Sequence, residues 1–141
     1  MARVDTLPEI LRPLMAAPSI RLGRCAVCGR PAPLEQHHVV RRGAGTLWRH
    51  GVEVPKPTVT LCGFGNVLRD ADGRFYCHGL AHHMRLHFRW VPVSAASRER
   101  FVTADMGGVG GHMEYLVTDE PCDYATALSM EGWRPLRRWR R

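Results

Sequence analysis

No stretch of this sequence approaches the roughly 18 consecutive apolar residues that a membrane-spanning helix requires. Met1 to Ile20 carries Asp5 and Glu9 and has no continuous apolar run, so it lacks the pattern of a secretory signal peptide. No membrane partner is expected, and a cytoplasmic, reducing location is the default. Cysteine is scarce, with five in 141 residues. In a reducing compartment, closely spaced cysteines more often bind metal than form disulfides. There is no internal repeat, and the length is that of one ordinary domain.

Positive charge, glycine and proline are plentiful. Twenty Lys and Arg against thirteen Asp and Glu give a formal charge of +7, with an isoelectric point near 9.8. Such a balance suits a polyanionic partner, usually nucleic acid, and equally suits a merely soluble protein. Fourteen glycines and ten prolines predict abundant loops, and 45% hydrophobic residues support a modest core.

Residues 5–16 read as a short amphipathic helix. Thr6 is a capping residue, Pro8 is tolerated in the first turn, Leu7, Ile10, Leu11 and Leu14 share a face, and Pro18 ends it. Leu34 to Val40 and Thr58 to Leu61 read as strands, with Arg41 to Lys56 a long loop between them. Gly63 to Gly73 is polar and turn-rich, and Gly63 to Tyr76 predicts a hairpin around Asp72-Gly73. Cys77 to Arg89 reads as a helix. Beyond Pro92 the expectation is a helix over Ser94 to Val102, a flexible Gly107 to Gly111 loop, a strand over Met113 to Thr118, and a helix from Cys122 to Glu131 stopped by Gly132. Five arginines and Trp139 occupy Arg134 to Arg141.

Cys25-Ala-Val-Cys28-Gly29 is a tight turn that brings two thiolates to one corner of a tetrahedron. Cys62, after the second strand, and Cys77, opening the helix, are the candidates for the other two ligands. Four thiolates suit a structural zinc. The other reading of Cys62 or Cys77 is a buried thiol, and Cys122, without a nearby partner, is a core residue.

The histidines are the sharper signal. His37 and His38 are adjacent, and His78, His82, His83 and His87 fall within ten residues. On a helix, His78 and His82 share one face, and His83 and His87 share another. An i, i+4 pair is a bidentate metal site, and a strand residue such as His37 completes it. Side chains alternate along a strand, so one member of the His37-His38 pair can bind metal. The other then stays free as a general base, with a reference pKa near 6.5. Glu35 is either a partner that orients a histidine or an exposed strand residue. His50 and His112 fall in no ligand spacing.

Taken in order, Cys25-Ala-Val-Cys28-Gly29, Leu34-Glu35-Gln36-His37-His38-Val39-Val40, Thr58-Val59-Thr60-Leu61-Cys62 and Cys77-His78-Gly79-Leu80-Ala81-His82 resemble the HNH (ββα-metal) endonucleases. The resemblance covers roughly Cys25 to Trp90. It implies an α+β fold with a small ββα-metal core and a structural zinc site, flanked by short helices and loops. The implied organisation is an N-terminal helix (1–20), a zinc-stapled nuclease core (21–92) and a C-terminal extension with a basic tail (93–141). It implies that His38 is the general base, and that His37, His78 and His82 hold one catalytic divalent ion. Cys25, Cys28, Cys62 and Cys77 would hold a separate zinc. Imidazole ligands accept Zn, Ni or Mn, with Mg less typical of such a set. DNA is the implied substrate, with RNA open. A phage or mobile-element setting and a packaging companion follow by family analogy.

Two departures stand out. Lys56-Pro57 occupies the place of the family's middle Asn, which orients the base; Asn66, after Cys62, is the substitute in another position. The Cys62–Cys77 interval is also longer than the family's knuckle, and His83 rather than His82 is a possible last ligand by one residue of register. Arg41, Arg42 and Arg49 flank the histidine pair and are candidate phosphate contacts. Trp133 to Arg141 suits backbone contact with base stacking, or else a solubilising tail. The competing function is a non-catalytic zinc-ribbon module that binds nucleic acid. The histidine clusters argue against it, since a pure binding module has no use for them, while the absent Asn argues for it.

Overall fold

The computed structural model describes residues 2–3, 7–40, 47–92 and 111–136. The chain is a mixed α+β protein, with strands β1 (Ala2–Arg3), β2 (Leu34–His38), β3 (Leu47–Arg49), β4 (Val52–Val54), β5 (Thr58–Cys62), β6 (Leu86–Pro92), β7 (Gly111–Val117) and β8 (Arg134–Pro135). Its α-helices among the described residues are α1 (Cys77–His82) and α2 (Tyr124–Leu128). No helix among the described residues is long and apolar enough to cross a membrane.

The centre is the antiparallel pair β2–β5, with His37 opposite Val59 and His38 opposite Thr58. Every residue of β5 is buried, as its β-branched and apolar sequence favours. Its other edge is covered by Ile20, whose N–H donates to Thr58 O (2.7 Å) and whose carbonyl accepts from Thr60 N (3.0 Å). The segment between β5 and α1 folds out and returns through an Arg69–Phe75 antiparallel bridge. Its turn is closed by Asp70 N to Arg74 O (2.8 Å), with Gly73 at φ 80°. This is a hairpin around Asp72-Gly73. A second sheet runs in the order β6-β7-β8 and a third in the order β1-β3-β4. Leu14, Val40, Leu47, Val59 and Leu61 are almost wholly inaccessible, and Phe88, Trp90, Met113 and Tyr115 extend the core into the β6–β7 hairpin.

Several expected elements take a different form. The N-terminal helix is a 3-10 helix, Glu9–Ala16, with Pro13 inside it; in an α-helix the proline ring clashes with the carbonyl four residues back. Its buried residues are Leu14 and Met15, while Ile10 is exposed. Thr6 lies outside the described residues. The long helix from Cys77 stops at His82. Met84 adopts a left-handed φ of 58°, and then Leu86, Phe88 and Trp90 are buried at a period of two, which is a strand pattern. Part of the expected 41–56 loop is the β3–β4 hairpin, turned by His50 and Gly51 with φ values of 52° and 76°. Those paired positive values are what a two-residue hairpin turn requires. Gly111 belongs to β7 rather than to a glycine loop; the expected helix over 94–102 and Gly107 to Gly110 lie outside the described residues. The last helix is α2, which is shorter than expected. Asp123 caps it by accepting from Thr126 N at 2.8 Å.

Gly79 decides how closely the inserted hairpin lies on α1. A Cβ there would stand 2.5 Å from Leu68 O, an acceptor already bonded by Tyr76 N. Alanine is the better helix former by about 1 kcal/mol, yet Gly79→Ala is expected to destabilise the protein by roughly 1–3 kcal/mol through overpacking. A lower urea midpoint at constant slope is the expected reading. An unchanged midpoint would show that the hairpin does not press on the helix.

Candidate metal centre and histidine cleft

Backbone hydrogen bonds hold the cysteine turn in place, among them Cys25 N to Arg30 O (2.9 Å). Ala26 N donates to Thr60 O of β5 (2.9 Å), and Gly29 N donates back to Cys25 O (2.9 Å) with Gly29 at φ 79°. Pro33 O accepts from Gly63 N (3.0 Å), which places Cys62 against the same turn. The outgoing and returning hairpin then delivers Cys77. The sulfurs of Cys25, Cys28, Cys62 and Cys77 all lie within 4.8 Å of one another, and the four are positioned to hold a metal ion. Cys28 Sγ and Cys62 Sγ are 3.6 Å apart. Four sulfurs at about 2.3 Å from a tetrahedral zinc would be separated by about 3.8 Å, so the donor set is compatible with a structural zinc. Cys77 N–H donates to Cys62 Sγ (3.2 Å), a bond that supports a sulfur carrying negative charge. Cys25 ionises most readily, with the sulfurs of Cys28, Cys62 and Cys77 gathered around it. Cys62 and Cys77 are pushed upward, first by their bonding to Cys25. A shared cation would relieve that competition. Cys122 stands apart, 3.5 Å from His87 Nε2.

A cleft of about 640 Å³ opens at the end of β2, bordered by Glu35, His37, His38, Asn66, His78 and His82. Along β2, Gln36 bonds Thr58 and Thr60 of β5. Glu35 and His37, its neighbours on either side, meet α1 instead. The cleft lies where the strand ends, so it takes in His38 as well as His37. The His78 and His82 rings are 4.6 Å apart and the His37 ring is 5.2 Å from His78 and 6.5 Å from His82.

Glu35 orients the helix histidines. Its carboxylate bonds His78 Nδ1 at 2.8 Å and also accepts from Gly65 N. With Nδ1–H donating to Glu35, His78 presents the lone pair of Nε2 to the cleft. His82 Nε2 lies 3.1 Å from it. Two imidazole nitrogens that close need a proton or a cation between them. Two ligands on one tetrahedral zinc would be about 3.3 Å apart. Burial, then the neighbouring His78 and His82, hold the His37 pKa down to about 3, and burial also lowers that of His82. His37 is therefore neutral near pH 7 and keeps a lone pair for a ligand. Among the described residues the four cysteines form the group of three or more whose ligand atoms all converge; the histidine trio is more open.

The remaining candidates divide. His83 is not in the cleft; its ring packs edge-on against Phe75 at 5.3 Å. His87 is buried in β6, bonded to Met84 O at 2.9 Å. Asn66 borders the cleft next to Gly65, and Thr58 rather than an Asn faces His38 across the ladder. Arg49 is placed in β3, and Arg41 and Arg42 lie outside the described residues. Trp133 is committed to packing: Arg89 stands 4.6 Å over its ring and its N–H donates to Ala127 O. Residues 137–141 lie outside the described set. Phe88, 6.0 Å from the His37 ring, was not foreseen, although the period-two burial of Leu86, Phe88 and Trp90 carried its signal. His112 pairs with Glu114 at 3.0 Å, well away from any ligand role. No family model, curated protein or solved structure matches this chain.

Proposed function

We propose that the chain is a metal-dependent endonuclease of the HNH type that hydrolyses phosphodiester bonds of DNA. The observation that carries this reading is the meeting of His37 and His38 from β2 with His78 and His82 from α1 in one cleft. The cysteine cluster that fastens this strand–strand–helix unit is separate from it. In this reading Cys25, Cys28, Cys62 and Cys77 hold a structural zinc, and His37, His78 and His82 hold the catalytic divalent ion. An all-imidazole set favours Zn, Ni or Mn over Mg. When bound, such an ion stabilises charge on the phosphate and on the departing oxygen.

The remaining work falls to the chain's own groups. His38 accepts a proton from water as the water oxygen bonds to phosphorus and the bond from phosphorus to the 3′ oxygen breaks in line. Glu35 keeps His78 in one tautomer. Asn66, in the cleft wall, is the amide that this reading assigns to orient His38 or the water.

Supercoiled plasmid incubated with the protein and Mn or Ni is expected to become nicked or linear, and to stay supercoiled without added metal. Plasmid left intact across Mg, Mn, Ni and Zn, while still bound by the protein, would sink the nuclease reading. The zinc-ribbon binding module would then stand in its place.

A further inference from the structure

The hairpin between Cys62 and Cys77 carries a surface that neither the cysteine cluster nor the histidine cleft uses. Arg69 lies flat on Phe75, its guanidinium carbon 3.9 Å above the ring, and Arg85 approaches the same ring at 5.6 Å. His83 packs edge-on against it. Two guanidiniums on one ring repel each other, and among the described residues no carboxylate pairs with either. The nearby Asp70 is already engaged: Arg30 holds it at 2.8 Å, and Asp72 N and Arg74 N donate to its other oxygen.

Each arginine is held by one hydrogen bond to a backbone carbonyl, Arg69 to Gly73 O (2.8 Å) and Arg85 to Thr118 O (3.0 Å). A guanidinium has five N–H donors, so most remain to face an anion. The ring and the carbonyls fix both groups beforehand, which lowers the entropy cost of binding. The chain links this surface to the cleft at two places. Asn66, in the cleft wall, precedes Arg69 by three residues, and His82, in the cleft, is followed directly by His83.

We propose that Arg69 and Arg85, braced by Phe75, form a phosphate clamp that holds the nucleic-acid backbone beside the histidine cleft. The clamp rests on the nuclease reading for the identity of its ligand. It also gives the extended Cys62–Cys77 interval a purpose, since the added residues supply Arg69 and Phe75.

The test is binding of a short fluorescein-labelled DNA duplex, followed by anisotropy across a potassium chloride titration without added divalent metal. Each phosphate contact contributes about 0.9 to the slope of log affinity against log salt. The Arg69→Gln/Arg85→Gln double variant is therefore expected to flatten the slope by roughly 2, while Arg69→Lys/Arg85→Lys keeps it. Removing the same charge from two other exposed arginines, as Arg21→Gln/Arg24→Gln, is expected to change it little. Should the double variant fail to fold by circular dichroism, Arg69→Gln alone is expected to give about half the change. A slope unchanged in the Arg69/Arg85 variant, or flattened equally in the Arg21/Arg24 control, overturns the clamp. Loss of plasmid cleavage with normal salt-dependent binding counts against the nuclease reading and leaves the clamp standing.

Discussion

Chelation of the structural zinc proposed for Cys25, Cys28, Cys62 and Cys77 is expected to unfold the strand–strand–helix unit at room temperature. The four sulfurs join three segments: the cysteine turn, the end of β5 and the start of α1. The cysteine turn is anchored mainly through Ala26, α1 has six residues and no side-chain cap, and β2 is half-exposed along its length. Structural zinc in small domains supplies an apparent 10–16 kcal/mol or so. The net stability of a whole domain is about 5–15 kcal/mol. Losing a term of that size leaves no folded unit. Cys62→Ser is expected to act like the chelator, because the Cys77 N–H then loses its sulfur acceptor and the metal loses a thiolate. Cys122→Ser, at a thiol beside His87, is expected to leave the melting temperature nearly unchanged. Circular dichroism melts with and without chelator, beside metal content by mass spectrometry, check both. Acid should mimic chelation, since protons compete with metal for the thiolates. A metal-free protein with the same melting temperature would reduce the cluster to free thiols.

His38→Ala is expected to lower the rate of plasmid nicking by about 10²–10⁴, the usual contribution of a general base. Duplex affinity, metal content and melting temperature are expected to stay close to wild type. The separation follows from geometry. His37 faces the His78 and His82 rings and Phe88, so removing it strips a ligand and a packed side chain together. His38 borders the same cleft and stands opposite Thr58 on the ladder. His37→Ala is therefore expected to lose metal and activity in parallel, with part of the activity recovered at high metal concentration. His38→Ala recovers nothing. A His38→Ala protein that nicks at the wild-type rate would move the base elsewhere, with His82 the next group to test.

The cysteine set was readable because ligand chemistry is stated by residue type, and a CxxC turn needs no tertiary information to bring two sulfurs together. The β2 and β5 strands were readable from branched and apolar runs bounded by turn residues. The extent of α1 was not. His78, His82, His83 and His87 repeat at helical spacing, whereas Leu86, Phe88 and Trp90 repeat at strand spacing over the same stretch. Which period wins depends on the β7 partner, distant in sequence, that offers a ladder to Leu86–Pro92. The N-terminal segment shows a similar limit: its apolar spacing suits a helix, but the Pro13 ring disfavours the α form and the segment is a 3-10 helix.

By itself, the sequence determined the chemistry on offer: four thiolates, a histidine pair on a strand, a histidine pair one helical turn apart, and an excess of basic charge. Each of these follows from residue type and short-range spacing. The tertiary structure decided which of those groups meet. It turned His82 rather than His83 toward His78, gave Glu35 to His78 as its orienting partner, set Thr58 opposite His38, and gathered Arg69 and Arg85 around Phe75. Those pairings depend on strand register and on how the Cys62–Cys77 hairpin folds back across Gly79. Both are settled by contacts between segments distant in the chain, where a shift of one residue would exchange every partner.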